Sequence, residues 1–302
     1  MITRRSLGLL AAASALADRS FASPALAAVP AASGPAAFAE AVAAIEAGTG
    51  GRLGVAILDT RSGRRLGARA DERFPLCSTF KVLAAGCVLA RVDAGQDGLD
   101  RAVSYGAADL VAYSPVTGAR VSDGAMALAD LCAAAITVSD NTAANLILAR
   151  IGGPAGLTAY LRGLGDGLTR LDRIEPALNE AAPEDPRDTT TPAAMLGCLD
   201  RLVLGDALSA ASRERLRGWL LANRTGGARL RAGLPGGWRV GDKTGSGERG
   251  TTNDVGVLWP PGGAPVVAAV YLTGASVPGT ARDAAIAAVA RVIAAALSRA
   301  FE

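Results

Sequence analysis

"WRVGDKTGSGERGTTNDVGVLWPPGGAPVVAAVYLTG", residues 238–274, decides the fold class. It contains three apolar, β-branched runs: "WRVGDKTGS", "TTNDVGVLWP" and "PVVAAVYLTG". They alternate with turns such as "PPGG", which is the pattern of successive strands. Strands this close in sequence pair antiparallel, because a parallel crossover needs a dozen or more residues. Beyond them "TARDAAIAAVARVIAAALSRAF" (280–301) predicts a final helix. At the other end "AAFAEAVAAIEAGTGG" (36–51) predicts a helix closed by glycines. "RLGVAILDT" (52–60) then predicts a strand, and "RSG" turns the chain so that "RRLGARA" pairs back on it. The two early strands most simply join the late three. The expected architecture is α/β (α+β): a five-stranded antiparallel sheet flanked by the terminal helices.

The stretch between these ends is helical. "STFKVLAAGCVLARVDAG" (78–95) is almost uninterruptedly apolar and closes at Gly95. "MALADLCAAAITVSD" and "NTAANLILARIGG" are two helical runs broken at Ser139–Asn141. "LTAYLRGLG", "TPAAMLGCLDRLVLG" and "SAASRERLRGWLLAN" follow, with Pro192 suited to a first helical turn. The expected domains are therefore residues 28–70 plus 221–302 as a discontinuous sheet domain, and 71–220 as an all-helical domain. One segment of the latter, 170–190, has no helical or strand period. It carries Pro176, Pro183 and Pro186 and many charges, and reads as a long surface loop. Irregular loops of this length are usually functional or disordered.

Composition sets the limits. With 302 residues, half of them hydrophobic, the chain buries a substantial core. Arg4 and Arg5 precede a short apolar run and the small residues "ALA" at 25–27, the layout of an export signal over residues 1–27. The paired arginines point to the twin-arginine route, hence to an exported, periplasmic protein. Removing the signal takes away Arg4, Arg5, Arg19 and Asp18 and lowers the formal charge from +3 to +1. That balance argues against nucleic acid and against a charged membrane surface as partners. No later run is long and apolar enough to anchor the mature chain. Cys77, Cys87, Cys132 and Cys198 lack CxxC spacing, and there is no histidine, so no metal site is expected.

The missing histidine sharpens the question of chemistry. "STFK" places Ser78 and Lys81 one helical turn apart on a common face. A lysine in an apolar run loses charge to desolvation and becomes a candidate base. "SDN" (139–141) sits at a helix break, where Asp and Asn also serve as caps. "KTGS" (243–246) ends a strand and offers a cation and hydroxyls to a carboxylate. "EPALN" (175–179) in the long loop sets a carboxylate and an amide four residues apart, suited to holding one water. Arg173 and Asp188 frame that loop and are placed to pair across its neck.

Each signal alone is modest. In this order and spacing, "STFK", "SDNTAANL", "EPALN" and "KTGSGERG" resemble the class A serine β-lactamases. The framing "LTRLDRIEPALNEAAPEDPRDTTTPAAM" is similar to that family's omega loop. The resemblance implies hydrolysis of small-molecule β-lactams through an acyl-enzyme on Ser78, by a monomer without cofactor. It implies Lys81 or Glu175 as the acylation base, and Glu175 with Asn179 as the holders of a deacylating water. The N–H groups of Ser78 and Ser246 would form the oxyanion hole. Ser139 would protonate the departing nitrogen, and Asn141 would bind the acylamino side chain. Lys243, Thr244 and Ser246 would bind the substrate carboxylate, with Tyr113 at the rim.

The chain also departs from the family. An arginine that many relatives carry on the strand after the lysine motif is here Thr252. Arg229 is the first candidate to replace it and Arg282 the second. Cys132 matches a family cysteine whose usual partner position is Ala85, and Cys87 is displaced around the helix. Cys77 precedes Ser78, but the position bridged to it in carbapenem-hydrolysing relatives is Gly247. Neither bridge is expected. The nearest rival is a D-alanyl-D-alanine peptidase, which lacks the loop glutamate. A non-catalytic β-lactam sensor is the other, and it would tolerate loss of Glu175 or Lys81.

Overall fold

The computed structural model describes residues 34–298, with Ser298 described by its backbone alone. The expected export signal lies outside the described residues. Helix α1 (Pro35–Ala47) starts on a proline, whose fixed φ suits a first turn. Strands β1 (Arg52–Asp59) and β2 (Arg65–Ala68) form the hairpin. After β3 (Phe74–Pro75) and a 3-10 turn at Cys77–Thr79 comes α2 (Phe80–Asp93). β4 (Ala102–Ser104), β5 (Ala125–Ala127), α3 (Leu128–Thr137), α4 (Asn141–Arg150) and α5 (Gly153–Gly163) follow. β6 (Thr189–Thr190) leads into α6 (Pro192–Leu199), which continues as a π-helical turn over Asp200–Leu204. α7 (Ala210–Leu221), α8 (Leu230–Gly233), β7 (Arg239–Ser246), β8 (Thr252–Trp259), β9 (Val266–Thr273) and α9 (Gly279–Ser298) complete the chain.

The main sheet has five strands in the order β2-β1-β9-β8-β7, every pair antiparallel. Side chains alternate between its faces, as the two-residue strand period requires. Val266, Ala268, Val270 and Leu272 of β9 join a core with Phe38 of α1 and Ile286, Val289 and Ile293 of α9. Val267, Ala269 and Tyr271 join the other core, shared with α2, α3, α4 and α6. Lys243 of β7 lies opposite Val255 of β8, whose side chain belongs to that second core. The sheet register thus carries Lys243 to the helical side.

The middle region is helical, but not purely so. β3 pairs with β6 and β4 with β5 as two small antiparallel ribbons. Strands of two and three residues are too short for periodicity to announce. The second ribbon also displaces a boundary: Met126 lies in β5 rather than in the following helix. α5 starts earlier than its apolar pattern, because Gly152 (φ 90°) breaks the previous helix and Pro154 suits the new first turn. α2 is the central helix, buried without interruption from Phe80 to Leu89. A helix apolar all round has no solvent face, so a charged side chain in its first turn must find partners inside.

Candidate active site

The 3-10 turn before α2 brings Ser78 to the end of the central helix, and Lys81 follows it one turn later. Lys81 has no solvent exposure. Its Nζ donates to Ser139 O (2.8 Å), Asn141 Oδ1 (2.6 Å) and Ser139 Oγ (3.2 Å). It also lies 3.0 Å from Glu175 Oε1. Four oxygens therefore surround three N–H bonds. Burial pushes the amine's pKa down, and the Glu175 carboxylate opposes that. A neutral amine has only two N–H bonds and would leave more of those oxygens without a donor. The geometry favours the ammonium as the resting form.

Ser78 Oγ donates to Glu175 Oε1 at 3.1 Å across 97 residues of sequence. Asn179 Nδ2 donates to the other carboxylate oxygen at 2.5 Å. The loop thus presents Glu175 to both Ser78 and Lys81. Its neck is closed as the framing residues predict: Arg173 Nε meets Asp188 Oδ2 at 2.6 Å. Asp188 Oδ1 also accepts the N–H groups of Asp172 and Arg173. The Glu175–Pro176 peptide bond is cis.

Asn145 was not singled out by sequence reasoning. Its side chain donates to Glu175 O (2.9 Å) and accepts from Glu175 N (2.9 Å), holding the glutamate's backbone from both sides. The signal was present: Asn145 lies four residues beyond Asn141 on α4, so one helix face carries both.

The "SDN" segment serves as cap and site together. Asp140 caps α4 by accepting from Ala143 N, and also accepts from the Val116 and Thr117 N–H groups and the Thr117 hydroxyl. This pins the loop that carries Tyr113. Asn141 reaches the same loop, its amide donating to Ala112 O and its backbone N–H to Tyr113 O. Tyr113 is 60% exposed and stands at the cleft mouth. Ser139 Oγ accepts from Lys81 and, at 3.0 Å, from Lys243, which leaves its own proton free. Three residues here, Cys77 (φ 43°), Tyr113 (φ 62°) and Ser139 (φ 60°), adopt left-handed backbone angles. That conformation costs a non-glycine residue about 1–3 kcal/mol and concentrates at functional sites.

The other end of the cleft is built on β7. Lys243 is fully buried and donates to Thr244 O at 2.7 Å. Burial, with the charges of Lys81 and Arg229, pushes its pKa well down. Arg229 donates through Nη2 to Ser246 Oγ (2.8 Å), through Nη1 to Gly245 O and Asn253 O, and through Nε to Asp283. Four of its five N–H bonds are thus committed, so it brings charge and a fixed Ser246 rather than an open fork. Arg282 donates to Thr252 Oγ1 at 3.0 Å.

Ser78, Tyr113, Ser139, Asn141, Asn179, Thr244, Ser246 and Arg229 line one cleft of about 400 Å³, joined by Thr225. Lys81, Glu175 and Lys243 lie buried behind its wall. A larger cavity, about 780 Å³, lies behind the loop among Arg52, Arg73, Arg249 and Asp185. It touches none of the expected site residues. The four cysteines are buried free thiols. A Cβ at Gly247 would stand 2.7 Å from Cys77 Sγ, so a glycine there leaves room for that thiol.

A family model described as "Beta-lactamase enzyme family" matches residues 37–297. The chain is 55% identical to beta-lactamase AST-1 of Nocardia asteroides, over 76% of this chain and 74% of that protein. It is 48% identical to beta-lactamase CTX-M-8 of Citrobacter amalonaticus, over 83% and 86%. The chain belongs to the class A β-lactamases. The solved structure of an ancestral class A β-lactamase (GNCA) superposes with TM-score 0.84 at 64% identity, covering 85% of this chain and 98% of that one. That of a last common ancestor of Gram-negative bacteria (GNCA4) gives 0.85 at 63%, covering 88% and 100%. Membership makes the chain a serine hydrolase of the β-lactam amide bond. No helix among the described residues is long and apolar enough to cross a membrane.

Proposed function

We propose that this chain hydrolyses penicillins and cephalosporins through an acyl-enzyme on Ser78, deacylates it with a water activated by Glu175, and so confers resistance. One observation carries the residue assignment. Glu175 Oε1 lies within 3.1 Å of both Ser78 Oγ and Lys81 Nζ, while Asn179 holds Oε2. The same carboxylate therefore serves both half-reactions. In acylation the Ser78 proton leaves toward Glu175, and the Lys81 ammonium stabilises the developing charge. The Ser78 and Ser246 N–H groups stabilise the tetrahedral oxyanion, each worth about 3 kcal/mol.

Ser139, flanked by two lysines, passes its free proton to the departing nitrogen. Asn141 binds the acylamino side chain, and Tyr113 covers the rim. Lys243, Thr244 and Ser246 bind the carboxylate, with Arg229 supplying charge and holding the Ser246 hydroxyl in place. In deacylation Glu175 and Asn179 position a water and Glu175 takes its proton. The chain works as a monomer of two units, a sheet domain (28–70, 221–302) and a helical one (71–220). It is exported to the periplasm by the twin-arginine signal of residues 1–27.

Glu175→Ala tests the assignment. Mass spectrometry after mixing with a penicillin should find an acyl adduct that forms more slowly than in the wild type and then persists on Ser78. Normal multiple turnover by this variant removes Glu175 from deacylation.

A further inference from the structure

Behind the carboxylate end of the cleft runs a chain of polar side chains that the roles above leave unused. Resting on the reading of this end as a carboxylate site, we propose that Thr225 is a positioning residue that sets the direction of the Thr244 hydroxyl.

The chain starts at Asp242, fully buried on β7 one residue before Lys243. Asp242 Oδ1 accepts from Arg231 Nη2 (2.6 Å) and Asn223 Nδ2 (3.0 Å). The buried Asn223 amide is thereby oriented: its NH₂ faces a carboxylate, which only accepts. Its Oδ1 consequently accepts from Thr225 N (3.0 Å) and Thr225 Oγ1 (2.8 Å). A hydroxyl has one proton, and Thr225 has given its own to Asn223. In the bond between Thr225 Oγ1 and Thr244 Oγ1, Thr225 therefore accepts and Thr244 donates. The free protein keeps the Thr244 proton turned toward Thr225.

A substrate carboxylate only accepts, so it needs that proton. When the Thr244 hydroxyl turns to it, two threonine oxygens are left facing each other without a proton between them. The relay resolves this by turning as well. Thr225 releases Asn223 Oδ1, which retains the Thr225 N–H, and donates to Thr244. Thr244, now accepting from behind, is the stronger donor in front, because bonds in series polarise one another. Thr225 and Thr244 both line the cleft beside Ser246 and Arg229.

The test is a KM-against-kcat comparison on two substrates, one chromogenic cephalosporin and its methyl ester. Thr225→Val keeps the volume and removes the donor. It should raise KM for the free carboxylate about fivefold, the scale of one hydrogen bond, with a smaller change in kcat. KM for the ester should not move, and Thr225→Ser should restore the wild-type value. Equal KM shifts for both substrates, no shift, or no rescue by serine overturns the relay. Both substrates are read on one folded sample, so a fall in folded fraction does not mimic the split. If the valine variant does not fold, Thr225→Ala is read the same way. Wild-type protein that turns over neither lactam fails the proposed function; wild-type turnover without the KM split in the variant fails the relay alone.

Discussion

Lys81 and Glu175 are two buried charges with every neighbour in the site arranged around them. Asn145 does its part through the glutamate's backbone, and its loss should be felt where Glu175 must be held without Ser78's hydroxyl, in deacylation. Removing two hydrogen bonds worth about 1 kcal/mol each, Asn145→Ala should slow deacylation about thirtyfold. Pre-steady-state traces should then show a larger burst than the wild type gives. Equal slowing of both steps would contradict this. Arg229→Lys should lower kcat/KM about tenfold for carboxylate-bearing lactams, since an ammonium cannot hold Ser246 Oγ, two carbonyls and Asp283 together. Unchanged kcat/KM would remove Arg229 from that role. At this scale the absence of histidine pointed to a Lys or Glu as the partner of Ser78, and the structure brings Ser78, Lys81 and Glu175 together. The sequence did not reveal that the Arg229 fork is almost fully committed, since the partners are main-chain carbonyls of distant strands. Nor did it single out Thr225, whose role depends on which way one proton points.

At the scale of elements, the loop over 171–190 is the part that delivers Glu175. It is tied at its neck by Arg173 and Asp188, the latter almost wholly buried. Removing one partner leaves a buried charge uncompensated, which typically costs 3–5 kcal/mol. Arg173→Ala should therefore loosen the loop, accumulate acyl-enzyme and lower the melting temperature. Mass spectrometry and a thermal melt read the two effects. A variant with a lowered melting temperature but wild-type deacylation would separate the loop's stability from its function. Arg173, Asp188 and the three prolines made this loop legible as a framed, irregular segment. The small ribbons were not legible, because two or three residues carry no period. The helix breaks at Gly152 and Ser139 were visible as glycine and cap signals, whereas the π-helical turn after α6 had no local mark.

For the whole molecule, the continuous apolar run of β9 between its turns and the unbroken apolar run of α2 explain why the sheet and its helical flank could be read from sequence. The register that places Lys243 beside Ser139 could not, because it depends on pairings between strands and on how helices pack over them. Stability at low pH is set partly by Asp97, which ties the end of α2 to Arg150 of α4 and to Arg101. Burial raises its carboxyl, but the bonds from Arg150, the Gly98 N–H and Arg101 outweigh this and bring it from 3.8 to about 2. A depressed folded pKa stabilises above the unfolded value and ceases to do so as pH falls through the folded one. Asp97→Asn should therefore melt lower than wild type at pH 7, and the gap should close between pH 4 and 2. A gap independent of pH would contradict the assignment.

The central claim is that a loop glutamate turns a serine acylation site into a catalyst of many turnovers. Purified protein mixed with a large excess of a chromogenic cephalosporin tests it directly. The account predicts continued hydrolysis over many equivalents. A single burst of one equivalent followed by a halt, the behaviour of a lactam-trapping peptidase or sensor, would contradict it.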